Sequence, residues 1–169
     1  KSFEDRLEEM KKKVKGVVLD LRGNGGGLLT AARDVAGIWL NDKIVVSERT
    51  NGKTTDEQRS GSDAILAGVP TVVLVNGSSA SASEIVSGAL QDYKIATLVG
   101  EKTYGKGSVQ KLIELPDGSV LKVTVARWYT PNGKNINKQG ISPDVAVALS
   151  AEDANAGRDP QMAAALTRL

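Results

Sequence analysis

Four serines fall between Ser78 and Ser83 in the stretch VNGSSASASEIVSGALQD (75–92), directly before a helical pattern. A turn consumes one or two such residues and a helix cap only one. Ser81-Ala-Ser-Glu84 has the spacing of a capping box, in which serine and glutamate satisfy each other's end of the helix. A serine at a helix N-terminus is also where an alkoxide is favoured, by the helix dipole and by adjacent free N–H groups. Alanines on both sides of Ser81 leave its approach unobstructed. At the level of local sequence both readings stand.

A nucleophilic serine needs a base, and the chain contains neither histidine nor cysteine. Lys106, in Lys102-Thr-Tyr-Gly-Lys106-Gly-Ser-Val-Gln110, sits between two glycines. Such a lysine is ordinarily a solvated loop residue. It becomes a general base only when burial or neighbours lower its pKa by several units from ~10.4. A Ser–Lys dyad is the one familiar route to an activated serine that this composition leaves open.

A third loop, DLRGNGGGLL, carries four glycines between Gly23 and Gly27. Its backbone N–H groups, free of side-chain obstruction, can face an anion or a developing oxyanion. A tight strand-to-helix turn would need only two glycines, so the cluster favours an N–H cradle. A dinucleotide fingerprint fits poorly, because Gly-x-Gly-x-x-Gly counted from Gly23 places Leu28 at the third glycine. Without His or Cys, zinc lacks its usual ligands, and no run has calcium-loop spacing, so neither metal nor cofactor is expected.

These loops need elements to hold them. At 169 residues, with 40% hydrophobic and 25% charged residues, the chain can bury one domain's core. A net charge of +2 is too small for an electrostatic nucleic-acid binder, and the cluster Lys11–Lys13 and Lys15 closes a helix where cations suit the dipole. No stretch reaches the ~18 apolar residues of a membrane span.

The opening helix SFEDRLEEMKKK is followed by GVVLDLR (16–22), a short β-branched run of the kind buried in parallel sheets. Helical spacing returns over LLTAARDVAGIWL (28–40), and a hairpin is expected around Asn51-Gly52. TVVLVN (71–76) and ATLVG (96–100) read as strands flanking the helix that runs to Tyr93. A second hairpin spans VQKLIEL-PDG-SVLKVTVARWYT, with alternation strongest at Leu121, Val123 and Val125. DPQMAAALTRL is a helix capped by Asp159, with Pro160 in its first turn. The class is α/β, built of strand–loop–helix units and β-hairpins.

Together GVVLDLRGNGGGLL, VLVNGSSASASEI, GEKTYGKGSVQ and DGSVLKVTVARWYTPNGKNI…GISPDV resemble the C-terminal processing peptidases, or tail-specific proteases, in order and in spacing. The resemblance implies a crotonase/Clp-protease-like core, with residues 1–150 the C-terminal part of the catalytic core and 151–169 a helical tail. It makes Ser81 the nucleophile, Lys106 its base and Gln110 the residue that orients Lys106. Gly26 or Gly27, with Ala82, would supply the oxyanion hole. Glu84, Asp92 and Thr103 would hold the site together, leaving Ser78, Ser79 and Ser83 as turn and cap residues. Protein or peptide substrates would bind as an added strand, with no nucleic-acid partner, and homo-oligomerisation is left open.

The same resemblance implies export to the periplasm or cell envelope. Family members carry a PDZ domain and further strands ahead of this core, and nothing here resembles them. The expectation is a catalytic part of a longer protease, weakly active alone, with Lys106 in a mostly dry pocket. The competing readings are a crotonase-like acyl-CoA enzyme, using the glycine amides on a thioester enolate, and a non-catalytic binding module.

Overall fold

The computed structural model describes residues 2–61 and 63–169. After helix α1 (Phe3–Lys11), strand β1 (Val17–Asp20) leads through the glycine loop into α2 (Leu29–Gly37). Strands β2 (Ile44–Thr50) and β3 (Lys53–Arg59) form the first hairpin. Asn51 and Gly52 connect them with φ of 51° and 77°, the doubly positive geometry of a type I′ turn. Next come β4 (Thr71–Val75), α3 (Ala82–Asp92) and β5 (Ala96–Gly100). The second hairpin joins β6 (Ser108–Glu114) to β7 (Val120–Tyr129). A two-residue strand β8 (Val145–Ala146) and helices α4 (Ala151–Asn155) and α5 (Pro160–Leu166) complete the chain. The sequence pattern gave no sign of β8 or of a separate α4.

The strands sort into two sheets, one ordered β1-β4-β5-β8 and the other β3-β2-β7-β6. All pairings in the first are parallel and all in the second antiparallel. The central strand β4 is buried at all five residues, which explains its unbroken apolar sequence. Val73 and Val75 join the core formed with α2 and α3, while Val72 and Leu74 meet Ala165 of α5 on the opposite face. β1 reads like β4 but lies at the sheet's edge, so Val17, Val18 and Leu19 are only partly buried and Asp20 is exposed. Asp159 caps α5 as expected, its Oδ1 accepting from the Met162 N–H at 2.8 Å.

The apolar alternation of the second hairpin does not mark a buried face. Leu121 and Val125 are exposed, as are Leu112 and Val120. A register shift between Val109 and Gln110 leaves two β7 steps opposite one on β6, and this bulge breaks the alternation.

Candidate active site

Strands β1, β4 and β5 lie side by side in parallel, so their C-terminal ends deliver the glycine loop, the serine loop and the lysine loop to one edge of the sheet. Crevices at such carboxyl ends are the usual site of binding in open α/β sheets.

Ser81 occupies the N-cap of α3 with φ 56° and ψ −117°, and it is buried. A non-glycine residue in this region costs about 1–3 kcal/mol and persists only when its surroundings enforce it. The resulting sharp strand-to-helix turn has the character of a nucleophile elbow. Ser81 and Glu84 form a capping box, each side chain facing the other's main-chain N–H. Ser81 N–H donates to Glu84 Oε2 at 2.9 Å, but Glu84 N–H goes to the Ser81 carbonyl, also at 2.9 Å. The hydroxyl holds the capping position without making a cap hydrogen bond of ordinary geometry.

The glycine loop presses directly on this elbow. Gly26 has φ 95°, and a Cβ there would lie 2.5 Å from the Ala80 carbonyl oxygen and 2.8 Å from Ala82 N, so only glycine fits. Of the two expected oxyanion donors, Gly26 is already engaged, its N–H donating to Asn24 Oδ1 at 2.9 Å. Among the described residues, the Gly27 and Ala82 amides have no such partner. Both line a cavity of about 160 Å³ whose walls include the apolar Leu21, Leu28, Val35 and Val86.

Side chains stitch the two loops together. The Asn24 carbonyl accepts from Ala80 N–H and from Ser83 Oγ, each at 3.0 Å. Asn76 Oδ1 accepts from Gly23 N–H at 3.0 Å and Ser78 N–H at 3.1 Å. Ser79 Oγ donates to the Leu21 carbonyl at 2.7 Å and accepts from Asn76 N–H at 3.0 Å. Ser83 is thus an inter-loop tie, and Ser79 is both a tie and part of the local turn with Asn76. Asn24 and Asn76 went unmarked in the sequence because their partners lie more than fifty residues away, although asparagine beside a glycine cluster or ending a strand is a turn signal.

Glu84 is fully buried and gathers the third loop. Its Oε1 accepts from Thr103 Oγ1 at 2.5 Å and Gly105 N–H at 2.6 Å, and its Oε2 from Lys106 N–H at 2.8 Å. Thr103 Oγ1 in turn accepts from Ile141 N–H at 2.7 Å. Glu84 and Thr103 thus join the lysine loop to the start of α3 and to the segment at Ile141.

Three expectations meet a different arrangement. Lys106 is exposed, not in a dry pocket: the flanking Gly105 and Gly107 are buried against residues 136–140, and the lysine side chain between them faces out. Gln110 does not reach it. Gln110 Nε2 donates to Ser108 Oγ at 2.9 Å and Thr124 Oγ1 at 2.8 Å, held on the β6–β7 face by cross-strand pairing with Thr124. Asp92 lies at the far end of α3, ten residues or about 15 Å along the axis from Ala82. There its Oδ2 accepts from Asn132 N–H at 2.8 Å, and Lys134 Nζ stands 3.7 Å from Oδ1. It anchors the turn after β7 instead of the serine loop.

Arg22, at the entrance of the glycine loop, pairs with Asp20 at 2.7 Å and with Asp159 at 2.9 Å. Its hydrogen bonds hold both carboxyls below the usual carboxylate range. Arg22 Nη1 also donates to the buried Gln161 at 3.0 Å, tying the loop to α5.

The sequence of residues 1–147 matches Peptidase family S41. The chain belongs to that family. It is 46% identical over 157 residues to a carboxyl-terminal-processing protease of Synechocystis sp., covering 91% of this chain and 36% of the relative. A protein of the same description from Picosynechococcus sp. is 52% identical over 130 residues, covering 77% of this chain and 31% of the relative. The structure superposes on a photosystem II D1 C-terminal processing protease with a TM-score of 0.81 at 42% identity, covering 86% of this chain and 38% of that one. The chain thus spans about a third of the length of the curated relatives it matches. The S41 fold is the mixed α/β architecture described above, and no helix among the described residues is long and apolar enough to cross a membrane.

Proposed function

We propose that this S41 chain carries the catalytic centre of a serine peptidase acting on protein or peptide tails. The observation that carries this reading is Ser81 itself. It is a serine held at positive φ in the N-cap of a helix, with its hydroxyl at the helix start and, among the described residues, the unpartnered Gly27 and Ala82 amides beside it. In the reaction, Ser81 Oγ attacks a peptide carbonyl while neutral Lys106 takes the proton. The oxyanion settles against the Gly27 and Ala82 amides, each worth about 3–4 kcal/mol to the transition state. Lysinium returns its proton to the leaving amine, and water then releases the acyl group.

The carboxylate of Glu84 keeps the lysine loop beside the elbow, and the apolar cavity walled by Leu28, Val35 and Val86 suits a small apolar substrate side chain. Substrate would enter extended, along a sheet edge. Export to the periplasm or cell envelope belongs to the same reading. These 169 residues by themselves are expected to act weakly, because Lys106 is exposed and Gln110 is engaged by Ser108 and Thr124.

Fluorophosphonate labelling with site mapping tests the proposal. Ser81 is the expected site of slow modification, with labelling abolished by Ser81→Ala and slowed by Lys106→Ala. Labelling that survives Ser81→Ala would overturn the assignment.

A further inference from the structure

Away from the serine loop, strands β2 and β7 place Arg49 and Arg127 directly opposite each other in antiparallel register. Directly opposed residues stand with Cβ atoms about 4.5–5.5 Å apart, and like charges in that position destabilise a sheet. No ion pair relieves them among the described residues. Arg49 Nε is moreover buried without a hydrogen-bond partner, alone among the described side-chain atoms.

Its guanidinium is nonetheless fixed. It lies 4.4 Å from the centre of the Tyr129 ring, a cation–π stack. On another side it meets Gly133, where a Cβ would stand 3.4 Å from Nη2. Together the two arginines line a cavity of about 400 Å³ with Thr50, Thr124 and Tyr129, and no acidic residue lines it.

The geometry points to an anion site here, with a carboxylate as its ligand. The Thr50 hydroxyl donates to the Val125 carbonyl, and the β2 and β7 main chains are ladder-paired, so amides outside the ladder are confined to the Asn51-Gly52 turn and the charged donors are the two arginines. What remains on offer are two guanidinium forks, which match a planar carboxylate two bonds at a time. Such a ligand neutralises the cross-strand repulsion that the isolated sheet bears. A peptide's terminal carboxylate and an aspartate or glutamate side chain share this chemistry. The site stands independently of the Ser81 chemistry and is tested without an activity assay.

The experiment is a binding and melting series on the 169-residue chain. Acetate should raise Tm above sodium chloride at equal ionic strength, and inorganic phosphate should do so less. N-acetyl-dialanine and an amidated aspartate peptide present the two carboxylate sources, each compared with its neutral amide. At least one should bind about tenfold more tightly than its amide, and Arg127→Gln or Arg49→Lys should erase that difference. The stronger of the two identifies the source. In chloride alone, Arg127→Gln should melt no lower than the parent chain, since it removes an uncompensated repulsion. Equal melting in acetate and chloride, carboxylates binding no better than their amides, or a lower Tm for Arg127→Gln in chloride would each overturn the site.

Discussion

The main-chain amides of Ser81 and Lys106 donate to one and the same oxygen, Oε2 of Glu84, at 2.9 and 2.8 Å. Twenty-five positions apart in the sequence, the two backbones are thereby held within two hydrogen-bond lengths of each other. The other oxygen of that carboxylate takes Thr103 and Gly105, so one buried anion closes the serine loop onto the lysine loop. Replacing Glu84 by alanine leaves four donors without their acceptor. Each orphaned buried donor costs about 1–3 kcal/mol, and a total loss of at least about 3 kcal/mol is expected in urea denaturation. A midpoint close to that of the parent chain would show that the clamp carries no such load.

The strained elbow makes an opposite prediction at Ser81. Glycine accepts φ 56° without penalty, so Ser81→Gly should stabilise the fold by about 1 kcal/mol while removing the proposed nucleophile. Ser81→Ala keeps the strain and removes the capping hydroxyl, and should be about 1 kcal/mol less stable than the parent. Equilibrium unfolding of the two variants side by side reads the difference directly.

Adjacent glycines should behave differently. Gly26→Ala drives a Cβ into the Ala80 carbonyl at a positive φ and should cost about 1–3 kcal/mol as well as displacing the loop from the elbow. Gly27→Ala meets nothing within 4 Å and should leave the melting temperature nearly unchanged. Thermal melts of the pair check this contrast.

The Arg22 cluster sets an acid limit on how α5 is held. Asp20 and Asp159 are depressed below 3.8 in the folded chain, chiefly by their hydrogen bonds to Arg22. Depressed carboxyls add stability that is complete above the unfolded value and is lost as pH falls through the folded one. Exposure of both aspartates keeps the effect modest. The protection of α5 amides against hydrogen exchange, taken relative to their intrinsic exchange rates, should therefore be flat above about pH 5 and fall below pH 4. Arg22→Gln should flatten that profile.

Much of this architecture is written locally. The Asn51-Gly52 turn, the Asp159 cap with Pro160 behind it, and the apolar run at Thr71–Val75 each satisfy a rule that operates over a few residues. The site's raw materials were legible too, the four-glycine loop more so than the serine run, which reads equally as a helix cap. What escaped the pattern was long-range. Asn24 and Asn76 act through partners on another loop, and the bulge at Val109/Gln110 depends on how two strands happen to pair. Gln110 and Asp92 were placed by resemblance, and their hydrogen bonds follow from cross-strand and helix-end neighbours that the sequence does not name.

The parallel sheet also acts as a ruler. Leu74 stands beside Asp20 on one side, and Val75 beside Gly100 on the other, so the pairing of three strands fixes how far each following loop reaches past the edge. Sliding β4 by one position would carry the serine elbow about 3.3 Å along the sheet and turn its neighbours inside out. Hydrophobic burial on both faces of β4 forbids that slide. Valines and leucines with no chemistry of their own thereby decide where the hydroxyl stands.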